Sequence, residues 1–295
     1  MFYIFFAKEN ENRSGTLSIY IASGKEIPYS FGKNYKVIIV GAKSKEHKNF
    51  KFCYDDEGVS ISEKNPYYCE LTALYWVWKN TNDEIVGLNH YRRFFWLANP
   101  NLRCEQKNIM DYRELPDMID ASNVDRILEK YDIILPMKRF YLDGVEKQYQ
   151  LNNRKTDYDV TRDVVHDLCP EYLPSFENVS LGTGLYVCNM FIMKRRYFNQ
   201  YMEWLFPILF EVEKRIAIPY DDTYQRRVFG FLAERLLNVF VLYNKLTVKE
   251  LPMIFVSENY SQDSYIGLKY ELQRKFPALS KKIYSSYQII KSVLR

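Results

Sequence analysis

Histidine is scarce in this chain: His47, His90 and His166 are the only three among 295 residues, and no two share a metal-ligand spacing with each other or with cysteine. That argues against a zinc centre. The five cysteines (Cys53, Cys69, Cys104, Cys169 and Cys188) are dispersed and odd in number. Such a set is not a disulfide framework and predicts reduced thiols. No apolar run approaches the ~20 residues of a membrane span. The N-terminal Met1–Ala7 stretch lacks the basic leader and cleavage pattern of an export signal. Together these absences predict a cytoplasmic protein. Internal repeats and low-complexity tracts are also missing.

What is present is apolar and aromatic. Hydrophobic residues make up 47% of the chain, with 26 Tyr and 19 Phe, so a globular core is expected rather than disorder. Such rings fill cores, and exposed ones stack on sugars or bases. The net charge is +4, but residues 266–295 carry seven basic side chains and one acid, which is +6. The preceding part is therefore +4 − 6 = −2. A slightly acidic body without a long basic stripe argues against a nucleic-acid partner.

Periodicity gives an α/β pattern. Leu17–Ala22 and Tyr35–Val40 read as short buried strands. Asn65-Pro66 opens a helix predicted to run to Asn80, with Leu71, Leu74, Tyr75 and Trp78 on one face. Glu84–Asn89, Tyr131–Pro136 and Leu185–Met193 are further strands. Helices are predicted around Val124–Lys130, Arg196–Arg215 and Thr223–Leu237. Strands alternating with helices predict a mostly parallel central sheet flanked by helices. Residues 148–180 are polar and read as a long loop over a site.

Ligands of open α/β sheets bind beyond the carboxyl ends of the strands. The Glu84–Asn89 strand ends in His90-Tyr91-Arg92-Arg93. Guanidinium forks match phosphate oxygens, so a diphosphate is one natural partner. A surface patch, or ion pairs with Asp55-Asp56-Glu57, is the other reading. A second candidate is Tyr220–Arg235. Asp222 and Thr223 are helix-capping types, while Gln225, Arg226, Gly230 and Glu234 share a face by i, i+4 logic. A carboxylate beside a diphosphate site could take a proton from an acceptor hydroxyl, with Asp222 first and Glu234 second as the base; Glu234 could instead hold Arg92 or Arg93. Lys64, Asn65 and Glu70 lie on the preceding helix and are candidate donor-site residues, Glu70 equally a helix-surface ion pair.

Four blocks, Ile61–Asn80, Val86–Phe94, Asn189–Met193 and Arg227–Leu236, resemble a bacterial domain-of-unknown-function family of capsular and exopolysaccharide biosynthesis glycosyltransferases. The likeness runs in order from about Ile19 to Leu251. It implies a GT-A-like domain over residues 1–260 that moves a sugar, galactofuranose or another hexose, from a nucleotide-linked (UDP) donor. The acceptor implied is lipid-linked or an oligosaccharide. The resemblance also brings Asn189 and Arg227 into the donor-binding set. Ser23-Gly24-Lys25 stands where the family pattern has His-Lys, and Gln148–Asn153 lacks a family histidine. Both departures bear on specificity more than on reaction class.

GT-A enzymes commonly hold a divalent cation on Asp-x-Asp after a strand. Here that strand ends in His90-Tyr91-Arg92-Arg93, and the chain's Asp157-Tyr158-Asp159 follows no strand. The expectation is that no cofactor is required and that fixed positive charge replaces the metal. Mn²⁺ or Mg²⁺ on Asp157 and Asp159 is the alternative. Residues 261–295 form a predicted basic helical tail, with Ile283, Tyr287, Ile290 and Leu294 at helical spacing. Such a helix either rests on the inner membrane leaflet or packs on the domain. A non-catalytic module that binds nucleotide sugar or glycan is the competing functional class.

Overall fold

The computed structural model describes residues 16–27, 29–44, 51–98, 106–109 and 111–256. The tail beyond 256, with its predicted amphipathic helix, lies outside the described residues.

The chain begins with β1 (Leu17–Ser23), β2 (Tyr35–Ile39) and a short β3 (Cys53–Tyr54). Next come α1 (Asn65–Tyr68), α2 (Leu71–Asn80), β4 (Ile85–His90), β5 (Arg93–Phe95) and β6 (Gln106–Ile109). A small helix α3 (Val124–Leu128) leads into β7 (Ile133–Pro136) and β8 (Arg139–Phe140). Three helices follow: α4 (Val145–Asn152), α5 (Lys155–Leu168) and α6 (Leu173–Leu181). The remainder is β9 (Gly184–Leu185), β10 (Phe191–Lys194), α7 (Arg195–Arg215), α8 (Val228–Tyr243), β11 (Val248–Leu251) and β12 (Met253–Val256).

Ten strands form one mixed sheet of order β11-β7-β10-β4-β1-β2-β3, extended by β5, β12 and β6. β1, β2, β3 and β4 run parallel, as do β7 and β11. β10 is antiparallel to both β4 and β7. Gly87 sits at the centre, where a Cβ would come within 3.0 Å of Ile19 and Ile192 side chains from the flanking strands. Any larger residue there would push three core strands apart.

One face of the sheet is covered by α2, α7 and α8 around Leu74, Val86, Ile192, Leu205 and Leu236. The other face carries a smaller core of Ile21, Phe31, Phe94, Leu115 and Ile254. Helix α8 is apolar almost all round, and residues from Val228 to Val241 are buried at nearly every position, as expected of a central helix. Asp55 is fully buried. Its carboxylate accepts from the Gly41 and Ala42 amides at 2.9 and 3.0 Å and from the Ser62 and Thr72 hydroxyls, tying the end of β2 to α2. It is therefore consumed by its own surroundings instead of pairing with the arginines after β4.

Three sequence expectations change. Residues 148–180 are three packed helices and not a loop. The helix from Asn65 breaks at Cys69, whose φ of 54° is left-handed. The strand expected over Leu185–Met193 is interrupted by Cys188 and Asn189, with φ of 72° and 49°. Two consecutive non-glycine residues in that region cost strain that surrounding contacts must offset.

Candidate active site

Strands β1, β2, β4, β7 and β11 all end at one edge of the sheet. Because β10 runs the other way, it starts there, and the Cys188–Asn189 turn is delivered to the same place. This edge is where an open α/β sheet takes ligands.

His90 ends β4 and Arg93 starts β5, and the two are cross-strand partners around a two-residue turn. Partners in an antiparallel pair project to the same side. Both accordingly line one cavity of about 320 Å³. The intervening residues turn away: Arg92 is exposed, with its guanidinium 5.0 Å from the Tyr91 ring. The Tyr91 carbonyl accepts from the Tyr112 hydroxyl at 2.8 Å.

The Cys188–Asn189 turn is held from several directions. Its Cys188 carbonyl lies 2.6 Å from His90 Nε2. A carbonyl only accepts, so Nε2 carries the proton. Burial, reinforced by Arg93 and Arg227, holds the imidazole pKa below its ordinary 6.5 despite nearby Glu70, which keeps the ring neutral. The Cys188 amide donates to Glu234 Oε1 at 2.8 Å. Asn189 Nδ2 donates to Glu70 Oε1 at 2.6 Å and to the Gly230 carbonyl at 3.0 Å. Asn238 makes a two-way pair with the backbone of Tyr186, at 2.9 Å each way.

The helical wall is α8 together with the α1–α2 junction. Arg227, Gly230, Phe231 and Glu234 follow i, i+3, i+4, i+7 spacing, and all four line the cavity. Opposite them, the break at Cys69 brings Cys69 and Glu70 to the wall. Burial pushes the Glu234 carboxyl above its ordinary value, with Arg235 opposing the shift from 3.0 Å. Arg235 is itself buried and reaches Gln148 of α4 and the Phe231 carbonyl.

The cavity thus gathers three guanidinium groups (Arg93, Arg139, Arg227), two carboxylates (Glu70, Glu234) and a neutral imidazole. Five sequence candidates meet here: Glu70, His90, Arg93, Arg227 and Glu234. Asn189 is buried directly behind them. Tyr91 and Arg92 lie on the turn outside. Lys64 is 2.6 Å from Glu213 of α7. Asn65 donates to the Cys69 carbonyl at 2.8 Å and so braces the α1–α2 break. Asp222 is exposed and accepts from the Tyr224 and Gln225 amides at 2.8 and 2.9 Å, a capping role that leaves it outside the cavity lining.

Arg139, Tyr141 and Tyr224 line the cavity without having been singled out. The signal for Arg139 was present: it follows the apolar strand Ile133–Pro136, as His90 follows β4. Asp157 and Asp159 do not fit a cation. They lie on α5, about 200° apart around its axis. Asp157 is bound by Arg154 at 2.9 and 3.0 Å, and Asp159 by Lys155 and Arg162. Among the described residues, no group of three or more His, Cys, Asp and Glu is placed to hold a metal ion. No described helix is long and apolar enough to cross a membrane.

Sheet, helices and cleft define an α/β domain of the GT-A-like class. The chain belongs to the family described as Domain of unknown function (DUF4422), which it matches over residues 18–245. It is also similar to the apo structure of WbbM, a bifunctional glycosyltransferase, with 31% sequence identity and a TM-score of 0.74. That match covers 82% of this chain and 45% of WbbM, so the chain spans less than half of that protein. No curated protein sequence matches.

Proposed function

We propose that this protein is a glycosyltransferase that moves a hexose from a nucleotide-sugar donor, UDP-linked, to a glycan acceptor in capsular or exopolysaccharide synthesis. The observation that carries this reading is the convergence of Arg93, Arg139 and Arg227 on one cleft beside a buried carboxylate. The family membership and the likeness to a glycosyltransferase support it.

In the reaction, the acceptor oxygen bonds to the anomeric carbon as the bond from that carbon to the diphosphate oxygen breaks. The bonding electrons leave with the nucleoside diphosphate. Fixed guanidinium groups stabilise that developing charge without reorganising. The acceptor hydroxyl proton goes to Glu234, whose raised pKa suits a general base. Asp222, by its position, builds the turn before α8 instead. No cofactor step is needed in this scheme. The acceptor is a lipid-linked or free oligosaccharide, and the basic segment 266–295 offers an anionic leaflet a peripheral contact.

A second reading, a non-catalytic nucleotide-sugar-binding module, is favoured by one observation. Both Glu234 oxygens are already engaged, by the Cys188 amide and by Arg235. Each carboxylate oxygen retains a second lone pair, which leaves room for an acceptor hydroxyl. Incubating the protein with a panel of nucleotide sugars, with saturation-transfer NMR and assay of released nucleoside diphosphate, separates the readings. Binding with turnover supports the transferase. Binding without turnover or hydrolysis gives the module, and no binding of any donor overturns both.

A further inference from the structure

Gly230 lies in the interior of α8, where glycine is among the least favourable residues. Its backbone is helical, so no left-handed turn requires it. Packing does not require it either. A Cβ built there would meet Cys69 Cβ and Sγ at 3.5 Å and Glu70 Oε1 at 4.0 Å, which is ordinary contact. The fold would accept alanine, yet the position has no side chain, and it forms part of the cleft wall.

The neighbours of this position in the cleft wall are specific. Arg227 caps the start of α8 three residues before it, Glu234 stands one turn after it, about 6 Å along the axis, and both line the same cleft. Phe231 offers a half-buried ring beside it, with the Arg227 guanidinium over that ring at 5.4 Å and the Tyr224 ring 5.1 Å away. Glu70 Oε1 is oriented there by Asn189. An aromatic face beside a fixed carboxylate suits a sugar ring, whose C–H face stacks while its hydroxyls donate.

We propose that the part of the cleft lined by Gly230, Phe231 and Glu70 is the seat of the transferred sugar, with Phe231 against one face of the ring and Glu70 accepting from its hydroxyls. Arg227 then lies on the diphosphate side and Glu234 on the acceptor side. This rests on the transferase reading and adds to it the residue that limits the size of the sugar.

The test compares UDP with UDP-hexoses by calorimetry on wild type, Gly230→Ala and Phe231→Leu. Gly230→Ala is expected to raise Tm by about 2 °C. It should weaken UDP-hexose binding about tenfold or more, since one methyl group in a fitted pocket discriminates by that order. Its affinity for UDP alone should stay within about twofold of wild type. Phe231→Leu should show the same selectivity for the sugar-bearing ligand. Equal UDP-hexose affinity in Gly230→Ala and wild type overturns the sugar seat, and so does equal weakening of UDP and UDP-hexose. Wild-type protein that binds no nucleotide sugar overturns the functional reading itself.

Discussion

The imidazole of His90 donates to the carbonyl of Cys188 across 2.6 Å, joining the end of β4 to the turn that opens β10. The bond needs only the neutral ring. Because burial lowers the His90 pKa from its ordinary 6.5, the unfolded chain binds this proton more readily than the folded one. Stability therefore rises with pH through this window and is lost as pH falls below 6.5. We expect Tm to drop between about pH 7.5 and 5.5, with a shallower slope in His90→Gln, whose amide can make the same bond. Parallel slopes in thermal melts of the two proteins would show that His90 does not titrate this way.

Arg92 and Arg93 are adjacent in sequence and opposite in placement. Arg93→Ala should lower kcat about 100- to 1,000-fold, the usual effect of removing one charge-stabilising donor. Arg92→Ala should leave turnover within about threefold of wild type. Steady-state release of UDP measures both. Equal losses would mean that the hairpin turn itself carries the site.

Glu234 and Asp222 separate along the same line. Glu234→Gln should cut kcat by about 100- to 10,000-fold while preserving donor binding. Asp222→Ala should keep catalysis and lose about 1 kcal/mol of stability, the effect of a lost helix cap. Loss of turnover in Asp222→Ala without loss of Tm would return the base to position 222.

Asp157 and Asp159 are bound to basic neighbours, and the proposed reaction assigns charge stabilisation to the arginines. Turnover is expected to survive EDTA. Abolition by EDTA with rescue by Mn²⁺ would assign the diphosphate to a cation.

Removing residues 266–295 should weaken co-sedimentation with anionic liposomes, since each lysine or arginine at such a surface contributes about 1 kcal/mol. Unchanged binding of the shortened protein would remove the membrane contact.

The alternating part of the fold was legible in the sequence. Leu17–Ala22, Tyr35–Val40 and the strand before His90 are short apolar runs with polar ends, and each became a parallel strand. The helices over 145–181 were not legible. α5 buries Asp157, Tyr158 and Thr161 alongside two valines, so its inner face reads as polar by composition. The direction of β10 was equally hidden, because a buried run looks the same whichever way it points. The His90–Arg93 cluster followed from the rule about strand ends. Separating Arg92 from Arg93 required the hairpin, and Tyr224 required the turn that Asp222 caps.

The reversed direction of β10 has a consequence for how this site can diversify. Parallel strands meet the ligand with the loops that follow them, so lengthening such a loop remodels the site. For β10 the polarity is inverted: insertions between Gly182 and Cys188 alter the chemistry, whereas those near Lys194 and Arg195 fall at the remote edge of the sheet. Libraries aimed at remodelling the cleft belong in the first segment, because at the second β10 passes directly into α7 and Arg195 is bound to Thr81 and to the Asp83 carbonyl.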